Sequence, residues 1–134
     1  MKAKELMLGD WVSVKTALGE RITTVQELYQ TGIITKEGGP FLDDEISPVP
    51  LTLDILKKNF EPNDEDQARW GSVGCEKIFF VIPKPGWKVA KWNFIWYPDT
   101  QELQIEDDPM ICIKYVHELQ HVLRIIGSDK CIEL

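Results

Sequence analysis

The amino-terminal third of the chain places short apolar runs between turn residues. Residues 11–14 alternate large or polar positions with two valines, directly after Gly9-Asp10. Further strand-like runs, each preceded by glycine, occupy residues 21–25, 33–35 and 41–42. Short strands at this spacing predict a small antiparallel β-barrel.

A short helix and an antiparallel meander are predicted next. Thr52 can cap a helix that ends at Asn59, because its hydroxyl can accept a hydrogen bond from an otherwise unpaired backbone N–H. The polar residues 61–67 favour a loop that forms the boundary between the two parts of the chain. Strands are then predicted at residues 77–82, 89–97 and 102–105, separated by proline-containing turns.

The strand at residues 89–97 places Trp92, Phe94 and Trp96 on one face. Large aromatic rings bury much area, so we expect this face to be core and to receive the final helix. The alternative is a platform on which bases or sugars stack.

The final helix should begin between residues 108 and 114 and end at Gly127, a residue suited to a left-handed cap. On a helical wheel the apolar side chains surround Leu119, while His117 and His121 lie one turn apart on the opposite side. We therefore expect both histidines at a surface or an interface. Gln120, at the border of the apolar stripe, could hydrogen-bond a neighbouring strand edge.

These elements predict an α+β fold. Residues 1–50 would form a small barrel, residues 51–60 a linking helix, and residues 68–134 an antiparallel sheet packed by the carboxy-terminal helix, with one compact unit as the alternative. The segments LGDWV and EISPVPL resemble the SH3-like barrels of adaptor and nucleic-acid proteins. That resemblance implies a fold and no activity.

Composition narrows the possible partners and the compartment. The formal net charge of −7 and the pI near 4.8 argue against nucleic acid as a partner, because phosphate binding depends on lysine and arginine. The acidic runs are expected to be solvated loops rather than calcium sites, since they lack the calcium-loop spacing. Three widely spaced cysteines, no secretory apolar run and no membrane-spanning stretch predict a cytoplasmic protein.

The only two histidines form an H-E-x-x-H string with Glu118. Histidines one turn apart can share one tetrahedral zinc ion, and the glutamate can deprotonate a metal-bound water. KYVHELQHVL resembles the helix of the zincin metallopeptidases, which implies His117 and His121 as zinc ligands and Glu118 as general base. A third ligand would come from the residues that follow, Asp129, Cys131 or Glu133.

Other residues favour a structural helix without a catalytic residue or cofactor. Lys114 and Arg124 lie one turn to either side of the histidines and would repel a dication. The glycine and third histidine of the metzincin extension are absent.

A wider resemblance points the same way. ELMLGDWV, EISPVPLT, KNF and KYVHELQHVL together resemble a group of uncharacterised small proteins of Bacteroides-type gut bacteria and their phages and prophages, in which asparagine is common at the position of His121. The resemblance implies a non-enzymatic accessory or interaction protein of mobile-element type, with an unknown protein partner. A zinc-dependent hydrolase is the alternative, and a nucleic-acid-binding barrel is the third hypothesis.

Overall fold

A computed structural model of the chain describes residues 1–64, 67–68, 77–83, 91–105, 111–128 and 130–134. The chain divides into two compact units. The first comprises Met1–Pro50 and Tyr115–His121, and the second comprises Leu51–Lys114 and Val122–Leu134. The final helix thus contributes its first half to the amino-terminal unit.

Five antiparallel strands form the first unit's sheet, which curls into a half-barrel. Its strand order is β4-β3-β2-β1-β5. The strands are β1 (Trp11–Thr16), β2 (Gly19–Leu28), β3 (Gly32–Thr35), β4 (Gly38–Leu42) and β5 (Ile46–Pro48). Short 3-10 turns at Ala3–Glu5 and Asp43–Glu45 precede β1 and β5. The predicted α+β class is confirmed, with β structure in the majority.

Alternation along β1 builds the core of the half-barrel. Val12 and Val14 are fully buried, while Ser13 between them pairs with Ile22 on the outer face. A bulge between Val25 and Glu27 shifts the register of β2 against β3, and bulges bend a strand. The buried apolar cluster consists of Ala3, Leu6, Val12, Val14, Val25, Ile33 and Ile46.

The second unit begins with helix α1 (Leu53–Asn59), capped as predicted by the Thr52 hydroxyl, which accepts from Ile55 N at 3.3 Å. Its antiparallel sheet has the order β10-β9-β8-β7-β6. The strands are β6 (Glu61–Pro62), β7 (Ile78–Pro83), β8 (Lys91–Tyr97), β9 (Glu102–Ile105) and β10 (Ile111–Ile113). The predicted strands at residues 77–82 and 102–105 are confirmed, and residues 84–90 lie outside the described part.

The start of the final helix was predicted too early. Residues 111–113 pair with β9 as strand β10, and helix α2 (Val116–Ile125) begins only after them. The two isoleucines around Cys112 favour an extended backbone, and pairing with β9 gives its N–H and C=O groups hydrogen-bond partners. The carboxy-terminal end is as predicted: Gly127 has a φ of 78°, and Ser128 N donates to Leu123 O at 2.9 Å.

The aromatic face of β8 belongs to the second unit's core. Phe94 and Trp96 are buried, and Phe94 lies 6.1 Å from the Phe60 ring, centroid to centroid. The buried Trp96 ring therefore cannot serve as a stacking platform, while the side chain of Trp92 lies outside the described part. No helix in the described ranges is long and apolar enough to cross a membrane.

Candidate functional site

Helix α2 starts at a backbone junction within the first unit. Val116 N donates to Val49 O at 2.9 Å, and Tyr115 forms an isolated bridge with Pro50. Glu118 Oε1 accepts from Tyr115 N at 3.0 Å. This is the reciprocal half of a capping box, in which the third helical residue reaches back to the cap. The glutamate of the H-E-x-x-H string therefore holds the helix terminus.

Gln120 clamps the turn that leads into β1. Its Nε2 donates to Gly9 O at 3.0 Å, and its Oε1 accepts from Trp11 N at 2.9 Å. A side-chain amide has the donor and acceptor of a peptide group, so it pairs with the turn as a strand edge would. The predicted hydrogen-bonding role of Gln120 is confirmed.

A buried aspartate in the same turn holds the second histidine. Asp10 is 0% exposed, and its Oδ2 lies 2.6 Å from His121 Nε2. The same oxygen accepts from Met7 N at 2.8 Å. The Asp10 backbone is fixed as well, because its carbonyl accepts from Val25 N at 3.0 Å. The carboxylate thus ties helix α2 to the turn before β1.

His117 is buried within the chain, whereas the helical wheel predicted a position at a surface or an interface. It is 8% exposed. Its ring packs edge-on against the His121 ring and stacks on the Tyr115 ring, with centroid-to-centroid distances of 5.6 Å and 6.0 Å. The wheel assumed one buried stripe, but the turn at Gly9-Asp10 also covers this side of the helix. Within the described residues, His117 Nδ1 is buried without a hydrogen-bond partner.

Burial lowers the pKa of His117, because desolvation disfavours its charged form. The neighbouring His121 acts in the same direction. Three carboxylates oppose the shift without cancelling it, namely those of Asp10, Glu118 and Glu5. The ring is consequently neutral at pH 7 and can accept as well as donate a hydrogen bond.

Cavities open on the described surface of the first unit. One of about 370 Å³, here called the α2 cavity, is lined by Met1, Glu5, Pro48, Tyr115, His117 and Glu118. Another, of about 430 Å³ and here called the outer groove, is lined by Ser13, Glu20, Ile22, Ser47, Pro48, Val49 and Pro50.

A zinc centre finds no complete ligand set in the described part of the chain, where no group of three His, Cys, Asp or Glu side chains could hold a metal ion. Of the candidate third ligands, Cys131 and Glu133 belong to the second unit, and Asp129 lies outside the described residues. The Glu133 backbone is held by Asn59, which donates to its carbonyl at 2.7 Å. The zinc alternative gains no support from this arrangement.

Sequence reasoning missed Asp10, which it read only as a turn residue. Its one local signal is an acidic side chain directly before a strand, and that signal does not reveal a partner 111 residues away. Comparisons of the chain with protein-family models, curated proteins and solved structures found no match. Any functional assignment must therefore come from the contacts of this chain.

Proposed function

We propose that the protein is a non-enzymatic accessory protein that binds another protein in the cytoplasm. The observation that carries this proposal is the use of the H-E-x-x-H segment as a structural clamp. Glu118 caps the helix, Gln120 pairs with the turn, and His121 bonds to Asp10. A general base and a zinc ligand would have to leave these contacts to act.

The surface of the first unit supports protein binding. The outer groove exposes Ile22 to 55% beside two prolines and the polar Ser13. Protein interfaces combine an apolar centre with a polar rim. The acidic total charge of −7 favours a protein partner over nucleic acid.

The proposal also includes a compartment, the cytoplasm, and a biological context, that of a phage or prophage. Cys112 is exposed and forms no disulfide within the described residues, which suits the reducing cytoplasm. A role in a phage or prophage context rests on the sequence resemblance alone. We expect little binding to duplex DNA at physiological salt, and any affinity should decline steeply as salt rises, whereas tight binding would favour the nucleic-acid hypothesis.

Metal analysis and chelation test the non-enzymatic part. Protein purified without chelator or nickel resin should contain no stoichiometric zinc, and a chelator should leave its melting temperature unchanged. A ligand that binds the native state stabilises it by mass action. A melting temperature that drops with chelator in the wild type, but not in the variant with both His117→Ala and His121→Ala, would establish a zinc site.

Cross-linking in the native host tests the binding part. Ile22→Asp places a charge in the outer groove and should abolish a specific cross-linked partner. Leu18→Asp is the matched control, because Leu18 is 86% exposed in a turn outside the groove. Loss of the partner in both variants, or in neither, would contradict a binding role for the groove.

A further inference from the structure

The α2 cavity combines two carboxylates with an aromatic ring. Glu5 and Glu118 line it, and Tyr115, which is also part of the wall, is exposed to 37%. The cavity therefore opens at the protein surface. Its volume of about 370 Å³ lies at the small end of ligand pockets, which span about 300–1,000 Å³. This size suits one side chain or a small molecule.

His117 supplies an independent sign of a ligand. The ring is part of the cavity wall, it is almost completely buried, and its Nδ1 has no hydrogen-bond partner within the described residues. Buried polar atoms in native proteins are nearly always hydrogen-bonded, so an unpaired one is an unusual feature of this wall.

Charge decides the class of ligand. The carboxylates of Glu5 and Glu118 favour a cation, and the face of an aromatic ring attracts one as well. His117 does not repel a cation, because burial lowers its pKa and leaves it neutral at pH 7.

A metal ion is the poorer candidate, since the described side chains contain no metal-binding group of three. Met1 also lines the cavity, and its ammonium donates to Asp43 O at 3.1 Å and to Ile46 O at 3.0 Å. The two carboxylates still outnumber this one cation, so an organic cation with N–H donors matches the net negative charge of the walls.

We propose that the α2 cavity receives a basic side chain, lysine or arginine, from the partner protein. This inference rests on the proposed binding function and names the partner's chemistry. Both side chains carry a positive charge and several N–H donors at the end of an apolar stem. The cation would pair with Glu5 and Glu118, and the stem would lie against Pro48 and Tyr115. The acidic chain as a whole steers such a basic partner towards this surface.

A titration with capped tripeptides tests the proposal. Acetyl-Gly-Lys-Gly-amide and acetyl-Gly-Arg-Gly-amide are added to the ¹⁵N-labelled full chain, and amide shifts are followed by NMR. We expect saturable, weak binding with shifts centred on residues 115–118 and on Glu5. Acetyl-Gly-Gln-Gly-amide, which lacks the charge, should produce no saturable shift.

Matched variants locate the binding. Glu5→Gln should weaken binding of the lysine peptide by about two- to fivefold, the effect of one partly exposed charge pair. Glu20→Gln removes an exposed carboxylate from the outer groove instead and should leave the affinity unchanged. Because Glu5 is exposed, its substitution should not disturb folding, which the dispersion of the NMR spectrum reports.

Three results would overturn the proposal. They are the absence of saturable shifts with either basic peptide, an equal response to the glutamine peptide, and tighter binding of butylammonium than of the lysine peptide. The last would assign the cavity to a free amine. If the basic peptides fail while Ile22→Asp still abolishes the cross-linked partner, the cavity assignment falls and the binding function stands.

Discussion

The contact between Asp10 and His121 should stabilise the first unit measurably. Asp10→Ala removes the carboxylate oxygen Oδ2. This atom lies 2.6 Å from His121 Nε2 and accepts a hydrogen bond from Met7 N at 2.8 Å. Asp10 is completely buried, so water cannot replace these contacts fully. Hydrogen bonds to a charged group contribute about 1.5–3 kcal/mol. With the Met7 bond also lost, we expect Asp10→Ala to lower the free energy of unfolding by about 2–4 kcal/mol.

A double-mutant cycle isolates the pair. Urea unfolding at pH 7 of the wild type, Asp10→Ala, His121→Ala and the double variant should give a coupling energy of about 1.5–3 kcal/mol. Asp44→Ala, an exposed carboxylate in the second 3-10 turn, is the control and should change stability by less than about 0.5 kcal/mol. Hydrogen exchange at the Trp11 amide, which donates to Gln120, reports the stability of the first unit separately. This exchange should be faster in Asp10→Ala and in His121→Ala than in the wild type.

Additivity would refute this reasoning. If the two single substitutions sum to the double variant within about 0.3–0.5 kcal/mol, the pair does not interact energetically. The clamp would then depend on Gln120 and the helix cap, and the short distance between Asp10 and His121 would have no energetic consequence.

Other parts of the structure make further predictions. Burial lowers the pKa of His117, so its neutral form stabilises the fold above the ordinary histidine pKa of about 6.5, and this contribution is lost as pH falls through the lowered value. The decrease in unfolding free energy between pH 7.5 and 5.5 should shrink in His117→Gln, and an unchanged profile would contradict the assignment. Leu123→Ala should cost about 2–5 kcal/mol because Leu123 is 1% exposed, whereas Ile125→Ala, at a position 83% exposed, should cost little in the same denaturation assay. Gly127→Ala should cost about 1–2 kcal/mol, since the residue has a φ of 78°; an unchanged melting temperature would show that this end of the helix is frayed.

Local patterns predicted most strands and the helix termini at Thr52 and Gly127. The run at residues 102–105 became β9 with the same bounds, because its alternation and its preceding turn are encoded within a few residues. Thr52 and Gly127 marked helix ends for the same reason, since caps act through adjacent backbone groups. Strand β10 was missed because a three-residue run, Ile111–Ile113, carries too little periodicity to distinguish it from the helix that follows.

The contacts of the candidate site depend on residues distant in sequence. The helical pattern placed His117 and His121 together, and that pairing holds at 5.6 Å between ring centroids. It could not show that the turn containing Asp10 covers the same side of the helix. A wheel describes one element, whereas burial depends on every element that packs against it.

The sequence separation of the clamp has a consequence for synthesis. Asp10 and His121 are 111 residues apart, and the first unit takes its last segment, Tyr115–His121, from near the carboxy-terminal end of this chain. During translation the half-barrel strands leave the ribosome long before that segment does. Closing so long a loop slows folding. The nascent half-barrel thus lacks the His121 partner of its buried Asp10 carboxylate until helix α2, 111 residues later, has been synthesised.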